Sequence, residues 1–167
     1  VRFQPTTAGS YSGPISVSGD QTSGNNTVAI SGNATGASAQ GSWSGRYIVE
    51  RCDGTGSNQD YFCSARGAFP PGSSLPITLS LSQNGSSVSG TIALGQVTGS
   101  VNGTINSAGT LVLQGTAVGG QITVTLSGFS VSVNGSSMTG NFTYNAGLVG
   151  VPGVAVVTSR LSGMTRR

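Results

Sequence analysis

The sequence predicts an all-β chain: an eight-stranded antiparallel up-and-down barrel over residues 41–167, preceded by a β-prone extension over residues 1–40. Three observations carry this reading. Apolar and polar residues alternate with period two through most of the chain, as in half-buried strands. The alternating runs are separated by short turns rich in Gly and Asn, for which pairing of consecutive strands is the simplest topology. No apolar stripe of helical period persists, and Gly (28 residues) and β-branched residues dominate.

The elements follow in order. Residues 1–40 are rich in Gly, Ser, Thr and Asn, with short β-like runs around Tyr11, Ile15 and Val17, then Val28 and Ile30. They hold too few apolar groups to fold alone and need an acceptor surface. Trp43, Gly45, Tyr47 and Val49 alternate in the first barrel strand, which leads to Cys52 and Cys63. Ile77, Leu79 and Leu81 form the second, ending at a hairpin turn at Asn84-Gly85. Val88, Gly90, Ile92 and Leu94 precede a turn at Gly95-Gln96, and Val97, Gly99, Val101, Gly103 and Ile105 run on to a turn around Asn106–Gly109. Leu111 and Leu113 lead to Gly119-Gly120, followed by Ile122, Val124 and Leu126. At Gly128 the apolar parity shifts to Phe129, Val131 and Val133, as a bulge would produce. Asn134-Gly135 turns the chain into Met138, Gly140, Phe142 and Tyr144, and after a Gly/Pro loop Val154 and Val156 lead into Arg160. An apolar-x-Gly-x-apolar pattern recurs, as in Val88–Ile92 and Val101–Ile105. Glycine on the inward face lets a sheet coil tightly, and closure into a barrel removes the open edges.

Composition excludes several chemistries. Only 7% of residues are charged, against roughly a quarter in typical domains. All 7 basic residues are Arg and there is no His. Catalysis by Ser-His-Asp, Cys-His or Schiff-base lysine is therefore ruled out, as is an imidazole metal site. The net charge of +3 is scattered, so no basic stripe marks a nucleic-acid partner. Between Gly67 and Ser159 there is no Asp, Glu, Lys, Arg or His. Such a surface cannot repel copies of itself, and it lacks charged gatekeepers. Glu50, Asp53 and Asp60 lie in or beside the cysteine loop, where Arg46, Arg51 and Arg66 are available as partners. No catalytic residue, metal or cofactor is expected.

Cys52 and Cys63 are the only cysteines. A disulfide closing a short loop, 52–63, fits them best and implies an oxidising compartment. The chain starts at Val1 rather than Met, as a processed secreted protein would, and the most apolar run, Ala146–Val157, is interrupted by Pro152. A secreted, extracellular or cell-surface location without a membrane span is expected.

Gly41-Ser42-Trp43 at the start of the first barrel strand, with Arg160 in the last, resembles the calycin signature of lipocalins and avidins. The resemblance implies that Trp43 closes one end of the barrel and packs under the basic side chain, here the pair Trp43 and Arg160. It also implies a possible ligand cavity lined by Trp43, Tyr47, Leu79, Ile92, Val101, Phe142 and Tyr144. The helix that lipocalins carry before the last strand is absent from the pattern.

Two functions are expected in order. The first is a non-enzymatic structural subunit that self-assembles head-to-tail into an extracellular filament or surface layer, with Tyr11, Ile15, Val17, Val28 and Ile30 as subunit contacts. The alternative is a barrel that binds a small apolar ligand or a carbohydrate, with glycans as further partners.

Overall fold

The computed structural model describes residues 9–16, 27–34 and 36–167. The chain divides into two compact units, Val1–Gly36 and Ala37–Arg167. In the first, β1 (Gly9–Ser16) and β2 (Thr27–Ala34) pair antiparallel as a two-stranded sheet. In the second, β3 (Gly41–Asp53), β4 (Ser74–Asn84), β5 (Ser87–Leu94), β6 (Val97–Ile105), β7 (Thr110–Gly119) and β8 (Ile122–Asn134) pair in sequence. They are followed by β9 (Ser137–Thr139), β10 (Asn141–Leu148) and β11 (Ala155–Arg166). β9 and β10 each pair with β8 and with β11, so they form one strand interrupted at Gly140, whose φ is +136°. β11 pairs with β3 and closes the ring, giving eight barrel strands. No described helix is long and apolar enough to cross a membrane.

Each tight hairpin turn places a glycine of positive φ at its first central position: Gly85, Gly95, Gly120 and Gly135. That is the stereochemistry of a type II′ turn, whose twist matches the flanking strands. Asn84 and Asn134 accordingly remain the last residues of their strands.

The inward glycines do what the repeat predicts. A Cβ on Gly90 would lie 2.0 Å from the Ser80 carbonyl oxygen, and one on Gly103 would lie 1.8 Å from that of Val112. The neighbouring backbone folds over these positions where a side chain would stand, so the sheet bends sharply enough to close. The parity shift at Gly128 is also present: Leu126 and Phe129 both face the core, and the register with β7 and β10 slips between them.

The last strand differs from expectation. Ala155, Val157, Ser159 and Leu161 face inward, whereas Val154 and Val156 are exposed. The run Val154-Ala155-Val156-Val157 is continuously apolar, so alternation could not assign its face. Beyond it, Gly163 takes φ +62° and the register with β3 slips between Ser162 and Thr165. A glycine-led bulge of this kind inserts a residue and reverses parity, which brings Met164 into the core.

The barrel unit begins ahead of β3. Ala39 is fully buried, its N–H donates to Gln83 Oε1 at 2.8 Å, and Gln83 Nε2 donates to the Ala37 carbonyl. These contacts fold residues 37–40 across the end of the barrel at which β3 starts.

Candidate functional site

Trp43 closes that end. Its ring is buried, and Nε1 donates to the Ala39 carbonyl at 2.8 Å. The guanidinium over the indole belongs to Arg166, with Cζ 4.7 Å from the ring centroid. Arg166 Nη2 donates to the carbonyls of Gly135 (3.1 Å) and Ser38, tying the last strand to the β8–β9 turn and to residues 37–40. The expected pair of Trp43 with Arg160 is thereby corrected. Arg160 stands opposite Ile48 on the outward parity and donates to Glu50 Oε1 at 3.1 Å, whereas the bulge at Gly163 brings Arg166 opposite Trp43. The glycine three residues before Arg166 was the signal that could have found it.

The seven residues expected to line a cavity all lie in the barrel interior. Tyr47 and Tyr144 are 0% exposed, Trp43 and Phe142 1%, Leu79 and Ile92 2%, and Val101 3%. A hollow barrel would leave such side chains against space that a water could enter; these touch next to none. Tyr47 meets Phe142 edge-on with centroids 5.5 Å apart and Tyr144 at 6.3 Å, while Phe142 and Tyr144 stack at 5.9 Å. Phe69, from the segment that follows the disulfide loop, packs edge-on against Tyr144 at 5.4 Å.

Within this apolar layer the hydroxyls of Tyr47, Tyr144 and Ser159 are buried beside one another, near enough to interact but with no well-aligned hydrogen bond among them. Burial favours the neutral phenols. The Tyr47 hydroxyl is pushed up to about 12 by desolvation, and that of Tyr144 higher still by desolvation and by the neighbouring Tyr47.

The opposite end of the barrel carries the disulfide loop. Cys52 and Cys63 are bonded, with Cα atoms 5.2 Å apart. Between them a single π-helical turn, Gln59–Cys63, sends Phe62 into the core and leaves Asp60 and Tyr61 outside. Phe62 stacks on Phe69 with centroids 5.6 Å apart. The Ala68 and Phe69 N–H groups donate to the Tyr61 and Phe62 carbonyls at 2.9 and 2.7 Å. A Cβ on Gly67 would lie 2.6 Å from Phe62 O, so only glycine permits this crossing. Asn58 is buried and donates from Nδ2 to the Pro152 carbonyl at 3.0 Å, which fastens the loop to the Gly/Pro segment before β11. Between the loop and the β5–β6 turn lies a cleft of about 610 Å³, lined by Asp60, Tyr61, Ser64, Arg66, Gln96 and Phe69 among others. Spacing identified the disulfide but gave no sign of this cleft, because Gln96 is distant in sequence.

Of the acids near the loop, Glu50 is paired with Arg160, and Asp53 with Arg51 at 2.5 Å. Arg46 instead donates to Ser74 through both Oγ and the carbonyl. Among the described residues no three of His, Cys, Asp and Glu come together.

In the N-terminal hairpin, Ile15 stands opposite Val28 and Gly13 opposite Ile30. Directly opposed residues share a face, so Ile15, Val28 and Ile30 lie on one side of the sheet. Val28 is 57% and Ile30 40% exposed, and Ile15 is half-buried. Tyr11 takes the register position opposite Gly32, and Val17 lies outside the described residues.

No protein-family model matches the chain, nor does any curated protein or solved structure.

Proposed function

We propose that the chain is a secreted, non-enzymatic structural protein whose copies associate through the N-terminal extension into an extracellular filament or surface layer. The observation that carries this reading is the hairpin. An isolated two-stranded sheet is marginal in water, and this one presents Val28 and Ile30 on an exposed apolar face. The barrel ring is closed, so it offers no edge for strand addition. The hairpin has two edges of different identity, one along β1 and one along β2. Pairing the β1 edge of one copy with the β2 edge of the next is a head-to-tail contact that need not close, and it extends the Ile15, Val28 and Ile30 face into a continuous stripe. Little charge opposes it: Arg2 and Asp20 are the only charged residues in 1–40, and 67–159 has none.

Secretion is consistent with the disulfide, and kinship with lipocalins and avidins with the eight-stranded barrel and its Trp–Arg closure. The alternative, a barrel that binds a small apolar ligand or a carbohydrate, has less support, because the aromatic side chains of the interior are buried against one another. Deleting residues 1–36 tests the assembly reading while keeping Ala39 under Trp43. Negative-stain microscopy is expected to show filaments or ordered sheets for the full chain and dispersed barrels for the truncated one. Polymers of the truncated chain would remove the hairpin as connector.

A further inference from the structure

The cleft at the disulfide-loop end is independent of the hairpin, and its chemistry is specific. Tyr61 is 47% exposed, yet its loop is held by the Cys52–Cys63 bond, by Phe62 stacked on Phe69, and by the backbone bonds of Ala68 and Phe69. Its ring meets Phe62 edge-on with centroids 5.0 Å apart. A large aromatic face kept in water on a fixed support is a contact surface that loses little freedom on binding. Beside it stand Asp60, Arg66, Gln96 and Ser64, all exposed. Neither Asp60 nor Arg66 forms an ion pair among the described residues.

This set selects a ligand class. One carboxylate and one guanidinium cancel, so the cleft attracts neither anions nor cations strongly. Together with an amide and a hydroxyl they supply both donors and acceptors in planar, forked geometries. Leu75, Ala68 and Ile122 are partly buried against the core and furnish the floor, so the cleft offers a shallow apolar base with a polar rim. A ligand with an apolar face and a ring of neutral hydroxyls fits that combination. The volume of about 610 Å³ lies within the range of small-molecule sites, roughly 300–1,000 Å³.

We infer that this cleft binds a neutral oligosaccharide, with one sugar ring stacked on Tyr61 and its hydroxyls bridged by Asp60, Arg66 and Gln96. The site stands apart from the barrel interior and does not depend on assembly through the hairpin.

The test uses the full chain, labelled with ¹⁵N under conditions that keep it dispersed, and two probes: cellohexaose and the hexamer of N-acetylglucosamine. At least one probe is expected to shift the amides of residues 60–67 and 95–96 and to leave those of β3 and β11 in place. Tyr61→Ala should weaken that binding at least tenfold and Tyr61→Phe less than threefold, with the melting temperature unchanged in both. Gln96→Ala, on a separate turn, provides a second reading if the loop variant is perturbed, and should also weaken binding. Absence of shifts at the cleft with both probes at millimolar concentration would overturn the inference, as would equal affinity for wild type and Tyr61→Ala.

Discussion

The residue that locks the Trp43 end is Arg166, and its environment sets how much it contributes. Its guanidinium, half-buried, covers a buried indole and donates to two carbonyls, an arrangement worth about 1–2 kcal/mol. Arg160 holds Glu50 on an exposed surface, where such pairs contribute less than about 1 kcal/mol. Urea unfolding of Arg166→Ala and Arg160→Ala should therefore give a large and a small loss of stability, in that order. Equal losses would contradict the assignment. Tyr47 and Tyr144 supply a second residue-scale prediction. Below pH 10, the ordinary tyrosine value, both phenols are neutral folded or unfolded and stability does not depend on them. Above it the unfolded chain releases protons that the folded one retains, because Tyr47 titrates only near 12 and Tyr144 beyond that. Stability should then fall by up to about 1.4 kcal/mol per pH unit for each phenol. The Tyr47→Phe/Tyr144→Phe double variant should flatten that decline in urea titrations at pH about 9 and about 11.5.

At the scale of elements, the strands were legible wherever apolar and polar residues alternate strictly, as in Ile77–Leu81 and Val97–Ile105, because a half-buried strand has no other way to place its side chains. The parity shift at Gly128 was legible for the same reason. Legibility failed at β11, where four consecutive apolar residues, Val154 just ahead of the strand and Ala155, Val156 and Val157 within it, conceal the face and a bulge beyond Ser162 reverses it. That single reversal moved the basic partner of Trp43 from Arg160 to Arg166. The cleft was illegible because it joins the disulfide loop to the β5–β6 turn, which pairing of β4 with β5 places beside the start of β4. The close approaches at glycine give this scale its prediction. Gly103→Ala should destabilise the barrel by about 3 kcal/mol or prevent folding, since the new methyl would fall on Val112 O. Gly128→Ala, whose methyl would meet nothing nearer than 3.6 Å, should stay within about 0.5 kcal/mol by thermal or urea unfolding. Comparable losses would show that the inward glycines do not set the curvature.

For the whole molecule, the account joins a closed, densely filled barrel to a hairpin that cannot bury its own apolar face. The barrel supplies a closed body without edges, and the hairpin supplies two edges and an uncovered stripe. The claim is tested most directly by sedimentation velocity over a concentration series, comparing the full chain with its Val28→Lys/Ile30→Lys variant. Both substitutions fall on the exposed face of β2 and outside the barrel. The account predicts that the unmodified chain shifts to larger species as concentration rises, while the variant sediments as a folded monomer throughout. A full chain that remains monomeric at every concentration, or a variant that assembles as readily as the original, would contradict it.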